Sequence, residues 1–398
     1  MEINSPSLFI EINNSEYIFV VVDNNEQDNF KVIYKCTESI QGINNSKITD
    51  FDQVFNDIKK NIYLLEEKLN FTFKDVVLII NNFNCSFINL SGFKKLNGSQ
   101  VSKENITFIL NSLKSNIDVT EDKKTIVHIF NSKYYLDKKK VENLPIGLFG
   151  DFYSHELSFC LINDNDYKNL NNIFNKCNLK IKKILFKSFV KGAYLSNTHP
   201  NLDTFFLIEV NENNSQIFFF ENDSLKFEQN FNFGLELIVK DISKITSMKT
   251  NTIKKIINNI KFSKDILEEE LIEREIFKGE NYIKVKKKLV FEIAESRIQE
   301  ILNIIITKNV NFTSFIKNEK TILLKIANQS HLKCFEYSYL SFLTKNNNFK
   351  VKFIENMPIE DLMYNVNKLV HYGWKKEAIP IPHARKSIIA KFFDTLFS

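Results

Sequence analysis

Apolar and polar positions alternate in the same way at two places along the chain. Residues 8–22, LFIEINNSEYIFVVV, hold two β-favouring runs around the polar Asn13, Asn14 and Ser15, the pattern of a hairpin. Residues 205–220, FFLIEVNENNSQIFFF, repeat it, with Ile208-Glu209-Val210-Asn211-Glu212 matching Ile10-Glu11-Ile12-Asn13-Asn14. The recurrence predicts a duplicated architecture. Helical spacing marks 51–71 and 101–117, the latter with Ser102 and Asn105 near its start, and also 165–179, 234–246 and 250–262. Strands are predicted at DVVLIINN (75–82), TIVHIFNSKYYL (125–136), HELSFCLIN (155–163), IKKILF (181–186) and TILLKI (321–326). LEEELIEREIF is a charged run, IKVKKKLVFEI reads as a strand or the approach to a helix, and SRIQEILNIIITKNV reads as a helix.

The last residues carry a wide apolar stripe. From Ala384 to Phe397, Ile388, Ile389, Phe392, Phe393, Leu396 and Phe397 fill one half of a helix turning about 100° per residue. Arg385 and Lys386 lead in, and Lys391 lies on the other half. The Pro-containing KKEAIPIPH (375–383) separates this stretch from what precedes it. Two readings stay open: an interfacial membrane anchor, or a terminal helix packed on its own core.

Composition narrows the classes. At 398 residues, with 43% hydrophobic and 25% charged content, the chain supports two or more domains with their own cores. A formal charge of +5 spread along the length gives no basic stripe, so nucleic acid is not an expected partner. Five cysteines without a C-x-x-C pair read as thiols of a reducing compartment, and the six histidines have no metal-ligand spacing. No signal peptide and no spanning helix is expected, which predicts a cytoplasmic protein. Phe is abundant at 38 and Gly scarce at 9, against an average near 7% for Gly.

The chain resembles the FtsA family of actin-like cell-division proteins over nearly its whole length. LIEVNENNSQIFFFENDSL and then NFGLELIVKDIS lie over the family's LIDIGGGTTDIAVFRDGSL and PVGGDHITNDIA without a gap. LFIEINNSEYIFVV resembles LDIGTSKIVALV, and Pro145, Ile146, Gly147 and Gly150 keep a Gly-containing turn of the family. SRIQEIL resembles a family helix, and the detached amphipathic tail is a family feature. The resemblance implies an α/β, actin-like two-lobed fold with an insert subdomain and a C-terminal amphipathic helix. Its parts would be first-lobe core at 1–82 and 164–200, the insert at 83–163, and a second lobe at 201–372 with a smaller subdomain near 245–305. A linker at 373–383 and a membrane-targeting helix at 384–398 would follow.

The resemblance also implies a job: tethering FtsZ to the cytoplasmic face of the inner membrane at the division site. Recruitment of later division proteins and self-association along filaments belong to the same implication. FtsZ would be held by its C-terminal tail near 245–305, with Arg297 and Glu300 as contact candidates; both also read as solvated helix charges. An actin-like platform of another membrane assembly, such as type IV pilus biogenesis, would lack the tail. A superfamily kinase would need intact phosphate loops.

Those loops have changed. In the superfamily, glycine turns present backbone N–H groups to the phosphates of ATP, and a carboxylate beside each turn organises Mg2+. By the resemblance, the first turn is Glu11-Ile12-Asn13-Asn14-Ser15-Glu16 and the second Glu209-Val210-Asn211-Glu212-Asn213-Asn214-Ser215-Gln216. The adenosine loop is Leu324-Lys325-Ile326-Ala327-Asn328-Gln329. None contains glycine; Gly234 is the one nearby glycine kept. Glu16 and Glu212 bring added negative charge, each costing on the order of 1–4 kcal/mol beside a triphosphate. The residues therefore predict weak or absent binding of ATP with Mg2+ and no enzymatic activity. Asn tolerates positive φ, so the turns are expected to survive as polar hairpins.

The tail's six large apolar side chains amount to about 5–8 kcal/mol gross if half-buried. Arg385, Lys386 and Lys391 add about 1 kcal/mol each beside an anionic surface. One tail should then bind weakly and reversibly, and several on one filament tightly.

Overall fold

The computed structural model describes residues 6–13, 16–23, 31–44, 47–81, 83–260, 268–278, 281–316, 321–346 and 349–378. The amphipathic stretch 384–398 lies outside the described residues, as do Asn14 and Ser15 of the first turn. The described chain resolves into two compact units, one of residues 1–39, 77–82 and 185–371, the other of 40–76, 83–184 and 372–398.

The chain opens with β1 (Ser7–Ile12), β2 (Glu16–Asp23) and β3 (Lys31–Ser39), followed by the two-residue strands β4 (Ile43–Asn44) and β5 (Lys47–Ile48). Helix α1 (Phe51–Leu69) starts where the Asp50 side chain accepts from the Gln53 N–H and stops at Asn70 in the left-handed region. After β6 (Asp75–Ile80) come β7 (Cys85–Lys95), α2 (Lys103–Thr120), β8 (Lys124–Leu136), β9 (Lys139–Val141) and β10 (Phe152–Asn163). Then follow α3 (Asp164–Lys176), β11 (Lys180–Phe186) and α4 (Lys187–Thr198).

The second half repeats the plan. It holds β12 (Phe205–Val210), β13 (Ser215–Glu221), β14 (Ser224–Phe231), α5 (Glu236–Thr246), α6 (Thr250–Asn259), α7 (Lys287–Leu302) and α8 (Val310–Phe315). It ends with β15 (Thr321–Ile326), α9 (Gln329–Leu340), β16 (Lys350–Phe353) and α10 (Ile359–His371). IKVKKKLVFEI thus resolves as the approach to α7, where Lys286, Lys287 and Lys288 pair with Glu269, Glu270 and Glu268 of the charged run.

Two five-stranded sheets have the same order. The first runs β11-β6-β1-β2-β3 and the second β16-β15-β12-β13-β14 when read the same way. In each, an antiparallel meander of three strands is extended on its first strand by two later ones. In the second sheet both additions are parallel. The division between the units falls within β6 and β11. Inner strands are buried on both faces, which is why they read as unbroken apolar runs. Phenylalanine fills the second sheet: Phe206 stacks on Phe219 with centroids 4.3 Å apart and meets Phe312 of α8 at 4.4 Å.

The other unit is built on a four-stranded sheet, β7-β10-β8-β9, with α2 against β7. The Ser102–Asn105 pair noticed in the sequence is a capping box: Ser102 N–H donates to Asn105 Oδ1 at 2.8 Å and Asn105 N–H to Ser102 Oγ at 3.3 Å. Its core gathers Ile109, Leu113 and Ile117 against Leu157, Phe159 and Tyr153.

Residues 374–378, placed by the sequence in and beside a linker, are fastened to this unit. Asn131 N–H donates to the Lys376 carbonyl and Ala378 N–H to the Ile129 carbonyl, both at 2.7 Å, a short strand added to β8. Between them the Glu377 carboxylate takes the Lys183 ammonium at 2.8 Å and the His128 Nδ1–H at 3.0 Å. Burial pushes the His128 pKa down, so it serves as a neutral donor. Burial would raise Glu377, but His128 and Lys183 override it and hold the carboxyl at about 2.

Candidate site at the two hairpin turns

Each hairpin turn is closed by the asparagine at its start. Asn13 Oδ1 accepts from the Glu16 N–H at 3.0 Å, and the Asn13 N–H donates to the Glu16 carbonyl at 3.2 Å. In the second turn Asn211 N–H donates to the Asn214 carbonyl and Asn211 Nδ2 to Asn214 Oδ1, both at 2.8 Å. None of residues 211–214 takes a positive φ. The second turn survives as the polar hairpin expected, and Asn211 keeps it without a positive φ. It holds the turn through its side-chain amide instead. Asparagine does enter the left-handed region elsewhere, as at Asn70 and Asn222.

Gly234 explains itself by contact. A Cβ there would lie 2.1 Å from the Asn211 carbonyl oxygen and 2.9 Å from the Asn214 nitrogen, so only glycine lets the chain pass under the second turn. That passage sets the start of α5, whose Leu235 and Glu236 N–H groups donate to the Asn211 and Glu212 carbonyls at 2.9 and 2.8 Å. Ser215 is buried, its hydroxyl donating to the Phe233 carbonyl at 2.8 Å, whereas Asn213 is exposed.

Between the turns lies a cavity of about 450 Å³. Glu11 and Glu209 form its acidic floor, each only 2% exposed. Lys187 pairs with Glu11, while Lys191 and Lys325 pair with opposite oxygens of Glu209, the latter at 3.2 Å. Lys187 and Lys191 are four residues apart on α4 and so share a face. Gly192 seats that helix, because a Cβ would fall 2.0 Å from the Phe220 ring of β13. Next to the network Glu228 is held by Ser188 and Gln216, and burial pushes its pKa up. Burial would also raise Glu209, but Lys191 and Lys325 outweigh it and hold the carboxyl at about 2. Lys191 itself is pushed down by burial, against the pull of Glu209.

Comparison with known proteins follows the same outline. Cell division protein FtsA of Buchnera aphidicola subsp. Schizaphis graminum is 23% identical over 301 residues, covering 74% of this chain and 71% of that one. FtsA of the subspecies Acyrthosiphon pisum is 22% identical over 235 residues, 59% of this chain and 56% of that one. The chain is a divergent FtsA-like protein. Its duplicated sheets, each a three-strand meander with two added strands, are the actin-like fold. Among solved structures, a PilM–PilN type IV pilus biogenesis complex has 10% identity and a TM-score of 0.48, with 92% of this chain and 95% of that one covered. No family model matches the chain.

The actin-like fold implies ATP with Mg2+, and the residues of this FtsA-like chain do not fit that group. Mg2+ demands oxygen ligands in near-octahedral array at about 2.0–2.1 Å. Here ammonium groups already sit on Glu11 and on both oxygens of Glu209. Among the described residues no cluster of three or more His, Cys, Asp or Glu is arranged to hold a metal ion. The first N–H groups of α5, which could face a phosphate, are taken by the second turn.

The adenosine loop is likewise spoken for. Ala327 N–H donates to the Val210 carbonyl at 3.0 Å, and Asn328 caps α9 by accepting from the His331 N–H at 2.9 Å. The space beside Asn328 and His331 is about 110 Å³, well below the roughly 300 Å³ where ligand pockets begin.

The structure brings Glu11, Asn13, Glu209, Asn211 and Asn214 to one cavity. The lysines that complete it were missed by sequence reasoning. Their signal was present: Lys187 and Lys191 at helical spacing among apolar residues directly after a buried strand, and Lys325 inside the apolar TILLKI. Of the FtsZ-contact candidates on α7, Arg297 bonds Asp241 of α5 and Glu300, the latter at 2.7 Å, so it links two helices; Glu300 stays exposed. The lipid-contact candidates Arg385, Lys386, Ile388, Ile389, Lys391, Phe392, Phe393, Leu396 and Phe397 lie outside the described residues.

Proposed function

We propose that this chain is a division-site tether that binds the C-terminal tail of FtsZ and holds it at the cytoplasmic face of the inner membrane. The observation carrying this reading is the match to FtsA over three-quarters of the chain, joined to an amphipathic C-terminal sequence. Membrane contact is peripheral: the tail from Arg385 to Phe397 lies in the interface, and among the described residues no helix is long and apolar enough to cross a bilayer. Self-association multiplies weak single tails into firm attachment, and later division proteins join the assembly. The protein works by binding and assembly and turns over no substrate.

Flotation with liposomes containing anionic lipid tests this. The full chain should carry FtsZ to the top of the gradient, and a chain ending at His383 should leave it at the bottom. If the full chain floats and FtsZ does not, the protein serves another assembly; if neither floats, the tail is not an anchor.

A further inference from the structure

A pair of buried carboxylates at the base of a cavity needs positive charge, because an isolated ionised carboxylate in a low-dielectric site is far too costly to leave alone. In a nucleotide-binding hairpin pair that charge arrives with the ligand, as the metal ion on the phosphates. Here it is part of the chain. Lys187, Lys191 and Lys325 come from two elements, α4 and β15, and reach the carboxylates of both hairpins. Lys191 is itself buried, at 5% exposure, so its pairing with Glu209 is not a surface accident. The position of α4 is fixed by the close approach of Gly192 to Phe220, which leaves the two lysines little freedom to withdraw.

We infer that this lysine–glutamate network is a built-in replacement for the metal–nucleotide complex, holding the two hairpins in one charge-balanced arrangement that requires no ligand. Three ammonium groups face three carboxylates around the cavity, counting Glu16 at the first turn. A triphosphate therefore meets no net attraction, and Mg2+ would have to displace Lys191 and Lys325 from Glu209. The second turn reinforces the arrangement, since its carbonyls occupy the α5 amides that a phosphate would use. Hairpin geometry, and any assembly that depends on it, then becomes independent of nucleotide.

The inference stands apart from the tether reading, and its test uses no partner. Thermal unfolding and titration calorimetry of the full chain are run with millimolar Mg·ATP, with ATP plus EDTA, and with pyrophosphate. The expected result is an unchanged midpoint and no saturable heat in all three. A raised midpoint with Mg·ATP overturns the inference by showing that the metal displaces the lysines. A rise with pyrophosphate or metal-free ATP overturns it too, because the lysines would then be a phosphate site.

Substitution supplies the second arm. Lys191→Met should lower the unfolding midpoint strongly, and Lys191→Met with Glu209→Gln should regain most of the loss, since the one ammonium then left without its carboxylate, Lys325, is partly accessible to water. Losses that simply add would show the pair to be uncoupled and sink the inference. If Lys191→Met does not fold, Lys187→Met is combined with Glu11→Gln at the other hairpin in the same way.

Discussion

The two hairpin turns answer one problem at different depths. At the first, Glu11 meets a single ammonium from Lys187, whose side chain keeps 19% of its exposure. At the second, Glu209 meets two, one of them also buried. The first turn is closed by bonds between Asn13 and Glu16, while the second is clamped from below by Gly234 and the start of α5. The two sheets thus share a strand order while the charges around their turns differ. The sheet carries its own stability in apolar burial, whereas the turn keeps its shape only if some group satisfies its carboxylate.

Breaking the deeper pair should cost most. Lys191→Met is expected to destabilise the chain by about 3 kcal/mol in denaturant titration, the low end of the range for a broken buried ion pair because Lys325 still meets Glu209. Acid should reveal the second half next, through His331. Burial pushes its pKa down to about 3, so below the ordinary 6.5 the unfolded chain takes up a proton that the folded one refuses. Stability at this site is whole above pH 6.5 and falls by about 1.4 kcal/mol per pH unit towards pH 3. His331→Gln should remove one proton's worth of that slope in urea titrations across pH 4.5–7. Glu209 adds to the loss only at lower pH, as it falls from 4.5 through about 2.

Gly234→Ala should cost about 1–3 kcal/mol by forcing the second turn off α5, a shift visible in the thermal midpoint. Lys187→Met takes the ammonium from Glu11 and should cost about 1–3 kcal/mol, water being able to enter where the partly exposed Lys187 side chain lay. A loss as large as that of Lys191→Met would erase the contrast between the turns. Smallest is the pair Asn13→Ala and Asn211→Ala, each removing an amide bond worth about 0.5–1.5 kcal/mol. The second should hurt less, because the start of α5 also bonds that turn.

Much of this architecture was legible. Ile10, Ile12, Ile208 and Val210 flank polar turns so plainly that both hairpins could be placed, and Ser102 with Asn105 announced the start of α2. The network was not legible, because a lysine on a helix face looks alike whether it ends in solvent or against a buried carboxylate. Only the packing of Gly192 on Phe220 decides which, and that contact joins residues far apart in sequence. Strands β3 and β16 went unread for another reason: their alternating polar positions, as in KVIYKCTES and KVKF, give weak apolar runs. Residues 374–378 looked like linker because WKKEA is polar, yet its one acid found the buried His128 and the half-buried Lys183.

That fastening has a mechanical meaning. Five residues, 379–383, separate Ala378 from the amphipathic stretch, a leash of at most about 18 Å even when drawn straight. A pull on the chain's end is therefore delivered to the edge of β8, where two backbone hydrogen bonds and the two contacts of Glu377 share the load. Removing that carboxylate, as in Glu377→Ala, would lengthen the leash and soften the coupling without touching either end of it.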